Sequence, residues 1–553
     1  MYPTLKDAFA AVPFDGTETV VRMLDDVEMI SDDIVTVQES QNAVLDMAGH
    51  RITAASDGFK GRPVVNRGTL VVQGDGTIDV SGARENGWGS IENYGTLTVV
   101  DGTFRGTLES NSVNIWNRAG GNAAFKGGRY DTNATALRTA EGSTTAIEGG
   151  YWESPWYSVV ENGGTMTISG GDFKNTSCSA CDSHWGYTVR SGLEADGAYL
   201  AFESGTVTGV QGGLAIVGGS ADIYGGTFST VDCVNDSTHT ATFYALYVAG
   251  DSYETSATVY GGEFSSSQRE AVHVGNNNAG GDGGNRQEAT IVIKGGSFMG
   301  GGSGKTAIVT DNVLGGAAIS GGTFSAKPAD DMFAQGYEPV QGGDGSWGVV
   351  VPDPVASIGG VDYPSVQAAI DDAGEGETVA LLANTAENIA VSVEKSIALD
   401  LSGFTLSVDK PISVTGELVV EDSKAVADPA VSDDFESVTY AAGKIVNTRD
   451  ARGSEAVAVE VKDGGVFTQK SGTIESMKNY TVAVYGSTVP GASPVESKAF
   501  IEGGYQIAPE GGPGVFGNGA YLKVSGGVIV GTDNAAVAGN GTNTDAPNIA
   551  NMC

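Results

Sequence analysis

The sequence predicts an all-β protein: a right-handed parallel β-helix solenoid in two tandem copies, each with a short N-terminal capping helix. A glycine-glycine phrase returns along residues 76–322, and short runs of alternating apolar and polar residues lie between its copies. Two segments far apart in the chain, residues 2–24 and 363–382, also match each other. The right hand is predicted by analogy with other parallel crossovers.

The recurring phrase consists of an apolar residue, any residue, two glycines, any residue and an aromatic residue, as in Ile168–Phe173 and Ile223–Phe228. The shortest spacing between second glycines is 21 residues, as from Gly150 to Gly171, and it contains three period-2 runs. Such runs are typical of strands, and a glycine pair makes a corner that tolerates positive φ. Three strands and three corners form one coil, and coils stack about 4.8 Å apart. The second glycines stand at positions 76, 102, 128, 150, 171, 205, 226, 262, 296 and 322.

Two sets of side chains are predicted to line the interior of the coils. The aromatic ring after each glycine pair would stack on its equivalents, which places Trp152 in the core. Asn93, Asn117 and Asn162 each come two residues after an inward apolar residue. Because a buried amide needs hydrogen-bond partners, we expect an asparagine ladder in which each amide bonds to the turn of the next coil.

The chain is predicted to hold two solenoids. Residues 1–350 form the first, with a start cap and a closing segment; residues 351–354 form a hinge; residues 355–553 form the second, truncated at its C-terminal end. A helix over an open end hides strand edges that would recruit other chains. The first solenoid begins at Tyr2 without a counterpart of the strand around 355–358. We therefore expect a fragment of a larger exported protein with a secretion signal.

The composition of the chain limits the classes of partner that we expect it to bind. The 553 residues carry 68 Asp and Glu against 30 Lys and Arg, a net charge of −38 and a pI near 4.2. Such a field repels phosphate backbones and anionic lipids, so we expect no nucleic-acid partner and no membrane insertion. No cofactor is indicated; a Ca²⁺ requirement stays open, because acidic oxygens suit this cation, although acidity more often serves solubility. We expect a monomer.

Four motifs together resemble one family. They are Tyr-Pro-x-Leu/Val-x-x-Ala at Tyr2 and Tyr363, Leu-Asp-x-x-Gly at Leu45 and Leu399, the Gly-Gly-x-Phe coils, and the closing Phe-Ala-x-Gly-Tyr…Gly-Asp-Gly-x-Trp from Phe333. They are similar to those of tandem parallel β-helix (pectin-lyase-like) surface proteins and adhesins of Gram-positive gut bacteria. The resemblance covers nearly the whole chain. It implies a right-handed parallel β-helix, a secreted or cell-surface location, and adhesion to a host surface protein or a glycan.

One outward-facing column is the candidate binding site. It aligns Glu92, Trp116, Arg138, Glu161, Arg190, Tyr247 and His273, with the register open between 190 and 247. Such a column would bind a sugar chain, or it is an ordinary solvated strand face. Trp156 and Trp185 precede or interrupt strands and are further candidates, since exposed aromatic rings stack on sugars and anchor interfaces. The inserted segments 174–187, 231–242 and 275–289 are where we expect specificity to lie.

The cysteines leave three outcomes open. Cys178 and Cys233 each stand seven residues past a repeat glycine, so they leave the same corner two coils apart. They would form a disulfide between two loops, remain free thiols, or join Cys181 and His184 in a Cys₃His zinc site, whose ligand count suits the metal. Cys553 has no visible role.

The first functional hypothesis is a non-catalytic cell-surface adhesin or stalk module that presents a β-helix face and inserted loops to host or glycan ligands. The alternative is a polysaccharide lyase or hydrolase acting in a groove along one face, which the resemblance to pectin-lyase-like enzymes suggests. The Asp-Asp pairs of the sequence lie in caps or loops, and neighbours on a strand point to opposite faces. A pair is therefore no catalytic site by itself. A mechanical spacer without a ligand is the third hypothesis.

Overall fold

The chain is nearly all β and divides into two compact units, residues 1–350 and 351–553. The computed structural model describes residues 1–30, 33–54, 59, 61–82, 89–107, 112–132, 134–155, 158–176, 186–192, 196–210, 212–231, 244–250, 252–275, 287–301, 306–311, 314–425, 430–431, 438–439, 443–486, 496–508, 514–531 and 534–540.

Each unit has three long sheets in which strands about one coil apart pair in parallel, an arrangement consistent with a parallel β-helix. The exceptions are antiparallel strands at one end of sheet B (338–341 and 347–350) and at one end of sheet D (356–358 and 361–363). In unit 1, we name the sheets A, B and C in the order in which the chain enters them. Sheet A contains Glu18–Arg22, Asn42–Asp46, Thr69–Gln73, Thr96–Val99, Asn122–Phe125, Thr144–Ile147, Thr165–Ile168, Tyr199–Phe202, Gly219–Ile223, Thr255–Val259, Glu288–Ile293 and Leu314–Ile319. Sheet B contains Val27–Met29, Arg51–Ala54, Thr77–Asp79, Thr103–Arg105, Arg129–Asp131, Tyr151–Ser154, Asp172–Asn175, Thr206–Gly209, Thr227–Thr230, Glu263–Ser265, Ser297–Met299, Thr323–Phe324, Trp347–Val350 and Glu338–Gln341. Sheet C contains Val35–Val37, Val64–Asn66, Ile91–Asn93, Val113–Asn117, Thr135–Thr139, Val160–Asn162, Tyr187–Ser191, Gly212–Ile216, Leu246–Ala249, Val272–Gly275 and Ile308–Asp311.

Unit 2 also has three long sheets, which we name D, E and F. Sheet D contains Val361–Tyr363, Ala356–Ile358, Thr378–Leu381, Ser396–Asp400, Glu417–Glu421, Val466–Gln469, Lys498–Ile501 and Tyr521–Val524. Sheet E contains Thr385–Ala386, Thr405–Val408, Lys444–Asn447, Thr473–Ser476, Tyr505–Ala508 and Val528–Gly531. Sheet F contains Ala390–Val391, Ile412–Val414, Val459–Val461, Val482–Tyr485, Val515–Asn518 and Val537–Asn540, and a separate two-stranded ribbon pairs Ala430–Val431 with Val438–Thr439.

A short helix stands near the start of each unit, as the matching segments predict. Helix α1 spans Leu5–Ala10 and helix α2 spans Val366–Asp372. The hydroxyls of the N-cap residues Thr4 and Ser365 accept hydrogen bonds from backbone N–H groups three residues later, which satisfies donors that a helix start leaves open. Single 3₁₀ turns that lie wholly within the described ranges span Asp330–Met332 and Ser454–Ala456.

The predicted aromatic stack is confirmed. On the inner face of sheet B, Phe104, Tyr130, Trp152 and Phe173 occupy consecutive coils and are completely buried. The Tyr130 and Trp152 rings stack with their centroids 3.6 Å apart and their planes 10° apart. Val207 takes the next position and interrupts the stack. A second run of stacked rings extends from Phe228 to Phe324 with ring spacings of 4.7–5.0 Å. In this second run the ring spacing follows the coil spacing of about 4.8 Å because each ring is fixed to one coil.

The predicted asparagine ladder is also confirmed, and it begins one coil earlier than expected. The amide of Asn66 donates to Asn93 Oδ1, and that of Asn93 donates to Asn117 Oδ1, both at 2.7 Å. The amides of Asn93, Asn117 and Asn162 also donate to a backbone carbonyl in the next coil. Thr139 interrupts the ladder and bonds instead to the Thr145 hydroxyl at 2.9 Å.

The glycine corners join sheet A to sheet B. The second glycine of the phrase has positive φ in nine of the ten predicted coils, from Gly102 to Gly322. The exception is Gly76, where the neighbouring Gly74 takes the left-handed conformation at φ 90°. Gly76 is required by space instead, because a Cβ there would lie 2.4 Å from the carbonyl oxygen of His50.

Candidate binding face on sheet C

In unit 1, the connections that border sheet C vary far more in length than those between sheets A and B. From Gln73 onward, every connection from sheet A to sheet B is three residues long, as at 169–171. Connections from sheet B to sheet C range from two residues (210–211) to fifteen (231–245), and those from sheet C to sheet A range from two (94–95) to twelve (276–287). The inserted segments therefore flank sheet C on both sides, and loops that vary on a regular scaffold are where such scaffolds place recognition.

The parallel ladder of sheet C aligns the candidate column. Glu92, Trp116, Arg138, Glu161 and Arg190 are consecutive Cα partners. The register that the sequence left open is closed by Ala215, which pairs with Arg190 on one side and with Tyr247 on the other. His273 follows Tyr247. The structure thus brings all seven predicted residues onto one line, while their binding role stays a prediction.

Trp116 is surrounded by arginines. The Arg118 guanidinium carbon lies 3.3 Å from the centroid of the Trp116 ring, and that of Arg138 lies 5.4 Å from it. Arg118 pairs with Glu92 at 2.5 Å, and Arg138 pairs with Glu161 at 2.5 Å. Both arginine side chains remain 31% exposed, whereas that of Glu161 is only 6% exposed. We call these five residues the arginine–tryptophan cluster.

Arg62 supports this cluster from beneath. Its side chain is buried, and Nη1 donates to the carbonyl oxygens of Ile91 and Asn114, which belong to two different coils. Its guanidinium carbon lies 5.9 Å from the Trp116 ring centroid. Burial lowers the pKa of Arg62 to about 10, with the Glu92 carboxylate opposing that shift. Arg62 stays charged near neutral pH and ties adjacent coils together.

The arginine–tryptophan cluster is itself neutral, and it becomes cationic when Arg62 and Arg190, which lie beside it, are counted. Arg62, Arg118, Arg138 and Arg190 carry four positive charges, and Glu92 and Glu161 carry two negative charges, so these six residues have a net charge of +2 against −38 for the whole chain. Opposite charge at this position attracts an anionic group, and the partly exposed guanidinium groups have the planar donor geometry that carboxylates and sulfates match.

A second cluster lies further along sheet C and is buried. Tyr187, Tyr244, Tyr247 and His273 are each 6% exposed or less. Tyr187 and Tyr247 stack at 5.6 Å, and Tyr244 stacks on His273 at 4.2 Å. A Cβ at Gly212 would lie 2.4 Å from the Tyr187 ring, so the glycine makes the space for it.

His273 Nδ1 lies 2.9 Å from Glu270 Oε1. Burial alone would raise the pKa of Glu270, but the hydrogen bond with His273 and the neighbouring charges of His273 and Arg269 hold it below its ordinary value of 4.5. The Arg269 guanidinium also donates to the Tyr244 hydroxyl at 3.3 Å. This tyrosine–histidine cluster therefore packs as a closed polar core beneath the face, so Tyr247 and His273 do not reach solvent as the column suggested.

Several predicted residues lie outside the described ranges. They are Trp156, Trp185, Cys178, Cys181, His184, Cys233 and Cys553. Among the described residues, no group of three or more His, Cys, Asp or Glu side chains is placed to hold a metal ion. No helix in the described ranges has the length and apolar character needed to cross a bilayer.

Sequence reasoning missed the residues that complete both clusters. Arg118 stands two residues after Trp116, and Glu270 stands three residues before His273, so spacing to a column residue would have found them. Nothing in the sequence marks Arg62, which precedes its strand and reaches two coils through its long side chain.

The fold and site were compared with known proteins in three ways. No family model matches the chain, and neither the curated proteins nor the solved structures contain a significant match.

Proposed function

We propose that the chain is a non-catalytic binding module of the bacterial cell surface, and that the outer face of sheet C binds a ligand of the host surface. An acidic glycan, carrying carboxylate or sulfate groups, fits that face best. The single observation that carries the proposal is the placement of the arginine–tryptophan cluster, which Arg62 and Arg190 beside it make cationic, on the one sheet that the variable connections flank on both sides.

The chemistry of the cluster favours binding over bond cleavage. General acid–base hydrolysis of a glycoside uses two carboxyl groups that converge on the substrate. Glu92 and Glu161 are each held by an arginine instead. Those pairs orient the guanidinium groups of Arg118 and Arg138, which are the groups that reach solvent.

The finer features of the architecture belong to the same proposal. We propose a right-handed coil, two tandem copies of one β-helix, and a monomer exported as part of a larger surface protein. The matching start segments around Tyr2 and Tyr363 and the resemblance to pectin-lyase-like surface proteins support it. Light scattering on the purified chain tests the monomer directly.

A glycan-binding assay with a matched pair of arginines tests the site. We expect saturable binding of the 553-residue protein to sialylated or sulfated mucin-type glycans, weaker binding after desialylation, and a loss of affinity as salt screens the charges. Arg138→Gln is expected to weaken binding about tenfold, because a charge-assisted hydrogen bond is lost.

Arg129→Gln is the control. Arg129 lies on sheet B, bonds to Asp131 at 2.8 Å and Glu153 at 3.2 Å, and sits 4.4 Å from the Tyr151 ring centroid. It therefore repeats the chemistry of Arg138 on a sheet that the variable connections flank on one side only. Equal losses in both variants would contradict a site on sheet C. New reducing ends or unsaturated products in the same wells would show that the chain is an enzyme and would contradict a non-catalytic binding module.

A further inference from the structure

A second row of side chains lies beside the candidate column, at the corner where sheet C turns into sheet A. Arg67, Tyr94 and Arg118 each follow the last residue of a sheet C strand. The N–H of Tyr94 donates to the carbonyl of Asn66, and that of Arg118 donates to the carbonyl of Asn93, so the row occupies three consecutive coils. Each of its members stands two residues after a position of the column. Because side chains two residues apart in a strand point to the same side, the row extends the outer face of sheet C.

Arg67 is an exposed cation that lies on an aromatic ring. Its guanidinium carbon is 4.5 Å from the centroid of the Tyr94 ring, much as Arg118 covers Trp116 on the next coil but one. Among the described residues, no carboxylate forms an ion pair with Arg67, whereas Arg118 pairs with Glu92. A guanidinium that stacks on a ring keeps its N–H edges directed sideways, so these donors remain available to an acidic group.

Together, the row and the column place four partly exposed arginines in one path along the stacking direction of the coils. Counted from the coil of Arg67, Arg118 lies on the third coil, Arg138 on the fourth and Arg190 on the sixth. Neighbouring coils are about 4.8 Å apart, so the path is about 24 Å long. We call these four residues the arginine path.

The arginine path leaves the corner after Arg118. On the next two coils the corresponding corner positions are Ala140 and Gly163, and the exposed Glu141 follows the first of them. A carboxylate at this corner repels an acidic ligand, whereas Arg138 attracts it from the neighbouring column. The charges therefore direct an acidic chain from the corner onto the face of sheet C.

We propose that the arginine path binds a linear glycan with an acidic group in each repeating unit, laid across the coils from Arg67 to Arg190. This inference rests on the proposed function and narrows its ligand from any acidic glycan to a chain with repeated acids. Two coil spacings, about 10 Å, separate Arg67 from Arg118, so one acidic group cannot bind both. In a chain with repeated acids, each further contact forms within a complex that already exists, and affinity rises with chain length.

A length series on the native chain tests the proposal. Size-fractionated chondroitin sulfate oligosaccharides carry acidic groups in every disaccharide, whereas sialyllactose carries a single acid. By isothermal titration calorimetry, we expect the affinity to rise at least about tenfold from the disaccharide to a chain that spans the arginine path, because charge-assisted hydrogen bonds are added. Sialyllactose is expected to bind no more tightly than the disaccharide.

Arg67→Gln tests the far end of the arginine path. We expect it to weaken binding of the long chain about tenfold and to leave binding of the disaccharide within about threefold, because the other three arginines still accept a short ligand. Arg129→Gln is the matched control, since Arg129 lies 4.4 Å from the Tyr151 ring centroid on the outer face of sheet B. Its affinity for both ligands should stay within about threefold of the native value.

The outcomes separate this inference from the proposed function. Equal affinity for the disaccharide and the long chain would overturn the arginine path and leave an acidic-glycan site on sheet C. Equal losses of long-chain affinity in Arg67→Gln and Arg129→Gln would also overturn it, because overall charge would then explain the binding. Absence of binding by every acidic glycan would overturn the proposed function as well. The length series needs no variant, so it decides even if Arg67→Gln does not fold.

Discussion

Replacing Asn93 with alanine removes the centre of the asparagine ladder. Its side chain is completely buried and lies between Asn66 and Asn117. The amide donates to Asn117 Oδ1 at 2.7 Å, and Oδ1 accepts from Asn66 at 2.7 Å and from the N–H of Gly95 at 3.3 Å. Among the described residues, Asn117 Oδ1 has no other donor.

The expected cost follows from the groups that lose their partners. Asn66 keeps its bond to the carbonyl of Thr96 at 2.9 Å, so its loss is partial. Asn117 Oδ1 is left buried without a donor, which costs about 1–3 kcal/mol. The N–H of Gly95 is partly exposed and adds roughly 1 kcal/mol. We therefore expect Asn93→Ala to lower the free energy of unfolding of unit 1 by about 3 kcal/mol.

Tryptophan fluorescence during urea denaturation measures this loss, because all six tryptophans lie in residues 1–350 and the signal reports unit 1 alone. Asn122→Ala is the control: its side chain is exposed on the neighbouring coil, and the change should stay within about 0.5 kcal/mol. A loss for Asn93→Ala below about 1 kcal/mol, or one equal to the control, would refute the reasoning that the ladder is held by satisfied amides.

Three further results are expected in the same assay. Trp152→Ala should cost about 3–5 kcal/mol and Trp152→Phe clearly less, because alanine leaves a cavity in the ring stack; equal costs would contradict this. Gly150→Ala should lower the free energy of unfolding by about 2 kcal/mol, because φ is +99° and the new Cβ would lie 3.0 Å from a carbonyl oxygen of the preceding coil. Gly142→Ala is its control: φ is +72° but the space is open, so the loss should be only about 1 kcal/mol. Glu270→Gln should destabilise unit 1 at neutral pH. The difference in free energy of unfolding between this variant and the native chain should shrink as the pH falls below 4.5. A carboxyl with a lowered pKa stabilises the fold above its unfolded pKa and loses that effect as it is protonated, so a deficit independent of pH would show that the pair with His273 contributes nothing.

Most of the fold could be predicted from the sequence repeat. A glycine pair followed by an aromatic residue is a local signal, because positive φ and an inward ring are both requirements of a single corner. Asn93, Asn117 and Asn162 were likewise found from their distance to an inward apolar residue, and the ladder bonds confirm them. The start of the ladder at Asn66 was missed because its coil lacks the glycine phrase.

Less of the candidate site could be predicted from the sequence. The column from Glu92 to Arg190 follows from period-2 alternation. The next position, Ala215, was identified only from the strand pairing in the structure. The sequence did not show it because the inserted segment 231–245, fifteen residues long, obscures the coil length. Burial of Tyr247 and His273 was also not predictable, because an outward strand position says nothing about side chains from neighbouring coils that close over it.

The amino-acid sequence by itself determined the coil: three strands, a glycine corner, an inward ring and an inward amide are set by φ, by period-2 alternation and by hydrogen-bonding need within about 22 residues. Only the tertiary structure decided what the coils present to solvent. Arg62 reaches carbonyls of two coils, Arg118 covers Trp116, and Tyr244 closes over His273 through contacts between residues far apart in sequence or on different strands. A contact between coils depends on the register in which the strands pair, and a local sequence pattern does not encode that register.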